Sequence, residues 1–167
     1  GGISSLGALT LRSNADGSPV LGERLDITSG GSVDLATASL FGGTNRQSDV
    51  IINAPSASTL TIKGVEANSL FVTAPTAAIT VTDPIRTTNA LALTTSQAIT
   101  LGIVETTDTL ADVTLNSASG DVTLTGNLAA GGNIQIMSGA DIRSRDMTSA
   151  NGSISLTAVD SVFGVAA

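Results

Sequence analysis

Residues 118–142 read ASGDVTLTGNLAAGGNIQIMSGADI, and within them one phrase occurs twice. Val122 and Leu124 bracket Thr123, a small and glycine-rich break follows, and then Ile134 and Ile136 bracket Gln135. Alternation of apolar and polar residues describes an extended strand with one buried face. Gly and Asn in the break tolerate the backbone angles that sharp turns demand. If this phrase is the period of the whole chain, it decides the fold.

Outward from that stretch, the period holds. Aliphatic pairs at Leu70/Val72, Leu91/Leu93, Val113/Leu115, Ile134/Ile136 and Ile154/Leu156 recur after 21, 22, 21 and 20 residues. A second series interleaves with it: Leu60/Ile62, Ile79/Val81, Ile99/Leu101 and Val122/Leu124, continued singly by Ile142 and Val162, with steps of 19, 20, 23, 20 and 20. Strand hairpins do not return one residue type to one place at a fixed interval, whereas stacked coils do. No segment carries the apolar stripe of an amphipathic helix. The fold class is therefore all-β, a parallel β-helix (β-solenoid) with coils of about 20 residues. Each coil has two main strands and a short third face marked by single aliphatics such as Val65, Ile85 and Leu128.

The turn and outward positions fit the same register. Asn68 and Asn89, then Gly132 and Gly152, stand two residues ahead of the first column, where stacked Asn side chains form ladders. Thr61, Thr80, Thr100 and Thr123 occupy the outward centre of the second. The N-terminal third is less regular. Its intervals stretch to 25 and 27 residues, and the excess is assigned to irregular loops at 13–24 and 37–49, the first places to seek a binding function. Residues 1–167 are read as a single β-helix domain. The Gly1-Gly2 opening and the absence of a cap-like helix suggest a slice of a longer solenoid.

Composition narrows function by exclusion. Aromatics are 2% and charged residues 13%, so the core is narrow and the surface is mostly Thr, Ser, Asn and Gly. Net charge is −7 with scattered basic residues, which argues against nucleic acid and against anionic membrane surfaces. No run is long enough for membrane insertion. The chain lacks Cys and His, removing thiolate chemistry and the usual general base. No catalytic or cofactor-binding residue is assigned, and the chain is expected not to be an enzyme. The candidates that remain are acids. Asp121 and Asp141 fall one coil apart in one column, where they would form either a Ca2+ or catalytic pair or merely solvated strand-start carboxylates. Glu105, Asp108 and Asp112 crowd one connection. Thr59/Thr61, Thr80/Thr82 and Thr123/Thr125 make Thr-x-Thr rows, the pattern of flat ice-binding solenoids, but the coil at Ala98, Thr100 and Gly102 interrupts them, which makes a poor template and leaves plain strand propensity as the preferred reading.

The coils GDVTLTGNLAAGGNIQIMSGADI and NGSISLTAVDSV resemble those of filamentous-haemagglutinin-like exoproteins, over about residues 68–162. These are large bacterial adhesins exported by two-partner secretion. The resemblance implies a right-handed β-helix in the shaft of a secreted or cell-surface adhesin, with no catalytic residue. Its partners would be host or neighbouring-cell surface glycans or proteins. A self-assembling filament subunit, stacking end to end on copies of itself, is the rival expectation, and a carbohydrate-binding or -cleaving β-helix a weaker one.

Overall fold

The computed structural model describes residues 2–5, 9–10, 20–22, 25–42 and 49–164, and these form strands and turns with no helix. All strand pairings are parallel and join successive coils, giving a β-solenoid. The first face stacks eight strands: Gly2–Ser5, Leu25–Ser29, Val50–Asn53, Leu70–Thr73, Leu91–Thr95, Val113–Ser117, Ile134–Ser138 and Ile154–Ala158. In the later coils the second face holds Ala78–Val81, Ile99–Leu101, Val122–Leu124, Ile142–Ser144 and Val162–Gly164. The third holds Ile85–Thr87, Val104–Thr106, Leu128–Ala130 and Met147–Ser149. In two earlier coils the strands Val33–Gly42 and Thr59–Ala67 run across both of these faces, uniting them in one 13-stranded sheet.

Register confirms both aliphatic columns. Leu70, Leu91, Val113, Ile134 and Ile154 stack on one another, as do Leu60, Ile79, Ile99, Val122, Ile142 and Val162. The third-face column is also as expected, with Val65, Ile85, Val104 and Leu128 in line and Met147 below them. Inward side chains of the middle coils are fully buried in one continuous cluster. Each such aliphatic contributes roughly 1.5–3 kcal/mol of burial. In the coil at 154–164 the same columns are open, with Ile154 44% and Val162 49% exposed.

The loop expected at 37–49 is corrected over its first half. Residues 37–42 continue the strand Val33–Gly42, whose register against Thr59–Ala67 shifts between Leu35 and Ser39. Leu35 faces Ile62 and Ser39 faces Gly64, so two extra residues are absorbed as a bulge within the strand. Of the loop expected at 13–24, residues 20–22 are a strand paired with Leu40, Phe41 and Gly42. The remainder of both stretches, apart from Asp49, lies outside the described residues.

The corner after the first face changes chemistry along the rod. Ala54 and Ala74 each begin an Ala-Pro-x-Ala turn closed by an Ala57 or Ala77 N–H to their carbonyls, at 3.3 and 3.1 Å. Proline at the second position presets such a turn. In later coils the same inward position carries Thr95, Ser117 and Ser138, all buried. Their hydroxyls take over the turn: Thr95 accepts the Gln97 N–H and donates to Ala77 O of the preceding coil, while Ser117 donates to Gly120 O and Ser138 to Asp141 O. A hydroxyl here is tolerated because it finds a partner. Among the described residues no buried side-chain polar atom lacks one.

Candidate functional site

Asp121 and Asp141 come together as the spacing implied. They precede the paired strands Val122–Leu124 and Ile142–Ser144, one coil apart, and the Asp141 backbone N–H donates to Asp121 Oδ1 at 3.1 Å. The residue that sequence reasoning missed is Arg143. It lies two positions beyond Asp141 on the same outward face, so its guanidinium folds back over both carboxylates. Nη1 meets Asp121 Oδ2 at 2.6 Å, and Nη2 donates to Asp141 Oδ2. The signal was legible as Asp-Ile-Arg at 141–143, since alternate residues of a strand share a face.

Electrostatics follow from that geometry. The Asp141 N–H, and after it the Arg143 guanidinium, hold the Asp121 carboxyl below the usual aspartate range. The same carboxylate raises the already high pKa of Arg143. The guanidinium carbon also lies 5.8 Å from the centre of the Phe163 ring, within cation–π range. Arginine thus occupies the position between the carboxylates that a divalent cation would need. The pair is built as a clamp between coils.

The second acidic group is dispersed. Glu105 accepts from Arg86 Nε at 3.3 Å, in a third-face row where Arg86 also lies 3.8 Å from Glu66. Asp108 Oδ1 accepts the Leu110 N–H at 3.0 Å, fixing its own turn. Asp112 Oδ1 accepts from both the backbone N–H and the side-chain amide of Asn133, at 2.6 and 3.1 Å. Among the described residues no group of three or more acids is arranged to hold a metal ion.

The amide ladder forms: Asn89 Nδ2 donates to Asn68 Oδ1 at 2.7 Å, and Asn68 Nδ2 to Asp49 Oδ1 at 2.8 Å. The Thr column forms too, with Thr61, Thr80, Thr100 and Thr123 in line. The Thr-x-Thr rows do not stack into a grid. Thr59 aligns with Ala78, so successive rows are offset and the face carries one Thr file rather than two. On the first face an open groove of about 370 Å³ runs along Asp112, Thr114, Asn133, Gln135, Ser153 and Ser155.

Comparison with known protein families, with curated proteins and with solved structures gave no match. The β-solenoid is therefore established on the strand register alone.

Proposed function

We propose that this chain is a structural segment of a secreted or surface-anchored bacterial adhesin. It acts without catalysis, as a stiff spacer that holds binding surfaces away from the cell and offers weak lateral contacts to surface glycans or proteins. The observation that carries this reading is the pairing of one continuous aliphatic core with outward groups that satisfy one another from coil to coil. Arg143 between two aspartates and Arg86 between two glutamates are such groups. They spend their charge on neighbouring coils, which leaves a side surface of hydroxyls and amides suited to numerous weak contacts. The likeness of the coils to filamentous-haemagglutinin-like exoproteins supports the same assignment. The test is adhesion of the purified, fluorescently labelled chain to epithelial cells, with trypsin resistance measured on the same sample. Saturable binding by a protease-resistant chain is expected. A resistant chain that binds no cell type removes the adhesive part, and rapid digestion throughout the rod removes the spacer.

The second reading is a filament subunit. It is favoured by the coil at 154–164, where Ile154 and Val162 are 44% and 49% exposed although the equivalent Ile134 and Ile142 are fully buried. Such a surface fits another coil, which a second copy would supply by a head-to-tail contact that does not close. Negative-stain microscopy with light scattering separates the two readings. Uniform fibres would support the filament, and discrete short particles the spacer.

A further inference from the structure

The chain contains one Asn-Gly pair, Asn151-Gly152. It lies in the exposed corner between the third-face strand Met147–Ser149 and the first-face strand Ile154–Ala158. Packing demands the glycine. A Cβ at residue 152 would lie 2.6 Å from Gly132 C and 2.7 Å from both Asn133 N and Asn133 Oδ1. The corner therefore places an exposed asparagine directly before the one residue whose backbone nitrogen has no side chain to shield it. We propose that Asn151 is a site of spontaneous deamidation, held in check by Ser149.

The chemistry needs only water. The Gly152 backbone nitrogen, having lost its proton to solvent base, attacks Asn151 Cγ. The Cγ–Nδ2 bond breaks, and the nitrogen leaves as ammonia after taking up a proton. The cyclic imide that results is opened by water at one of its two carbonyls. Opening at the main-chain carbonyl gives isoaspartate, with the chain running on through Cγ, and opening at the side-chain carbonyl gives aspartate. No oxidant or cofactor enters.

Two hydrogen bonds oppose the first step. The Gly152 N–H donates to Ser149 Oγ at 3.0 Å, and the Ser149 hydroxyl is itself anchored to Gly132 O at 2.7 Å. Attack requires that this N–H be released. Asn151 Nδ2 donates to Gly131 O at 3.2 Å, near the long end of hydrogen-bond distances and the weaker restraint. Once formed, isoaspartate adds one backbone carbon and one negative charge just before Ile154. That strand pairs residue for residue with Ile134–Ser138, so the lengthened corner loosens it.

The experiment incubates the intact chain at mildly alkaline pH and follows residue 151 by peptide mass mapping and by isoaspartyl methyltransferase labelling. Wild type is expected to convert slowly at Asn151 and at no other described asparagine. Ser149→Ala should convert several-fold faster, and Ser149→Thr, which keeps the hydroxyl, at about the wild-type rate. Circular dichroism of each variant establishes that the coils remain folded. Equal rates in wild type and Ser149→Ala would overturn the restraint, and an unmodified Asn151 in folded Ser149→Ala would overturn the site. A high rate in Ser149→Thr would also count against the hydroxyl.

Discussion

Val113→Asp tests the inside and outside of the rod in one substitution. Val113 is fully buried and stacked between Leu91 and Ile134. Losing its burial costs roughly 1.5–3 kcal/mol, and placing a carboxylate there adds an effective penalty of several kcal/mol. Together these approach the whole stability of an ordinary domain, about 5–15 kcal/mol. The control is Thr123→Asp, on the outward file between Thr100 and Arg143, where the change should stay within about 0.5 kcal/mol. Urea unfolding followed by circular dichroism reads both. The Val113→Asp midpoint should collapse, and its deficit should narrow as pH falls. Burial raises the carboxyl's pKa in the folded chain, so the folded state takes up a proton that the unfolded chain releases. Equal midpoints for the two variants would mean that the assignment of faces is wrong.

Three further outcomes are expected. Ser117→Ala leaves the Gly120 N–H without the Ser117 oxygen that accepts it at 3.0 Å, and should lower stability by about 1–3 kcal/mol in the same unfolding assay. Gly131→Ala sets a Cβ 1.7 Å from Asp108 O, so the backbone must move, and a loss of at least about 1–3 kcal/mol should follow. Because the Asp121 carboxyl is held low in the folded chain, its stabilising effect is present above the unfolded aspartate pKa of about 3.9 and is lost as pH falls through the folded value. In Arg143→Ala, carboxyl NMR titration should show the Asp121 pKa rising toward that ordinary value.

Much of this fold was legible because the inward columns repeat chemically: the steps counted between Leu70, Leu91, Val113, Ile134 and Ile154 are the pairings observed. The offset of the Thr-x-Thr rows was legible too, because the register that sets Thr61 opposite Thr80 also sets Thr59 opposite Ala78. Legibility failed where the register shifts. The 37–49 stretch read as a loop because its length broke the period, whereas a bulge between Leu35 and Ser39 lets the strand continue through residues 37–42 and carry two residues of the surplus. At the candidate site the column of Asp121 and Asp141 was readable from spacing. Spacing between acids does not point to Arg143, whose role follows from sharing an outward strand face with Asp141.

The central claim is parallel stacking of coils in a defined register, and the absence of cysteine makes it directly measurable. Cysteine pairs placed at Thr80/Thr100 and Thr100/Thr123 occupy neighbouring strands in register. Their Cα atoms should lie about 4.8 Å apart, within disulfide range. Mild oxidation should close both pairs within single chains, whereas a pair at Thr80/Thr123, two coils apart, should stay reduced. Efficient closure of Thr80/Thr123 alongside failure of the two neighbouring pairs would contradict the stacked-coil register and, with it, the solenoid.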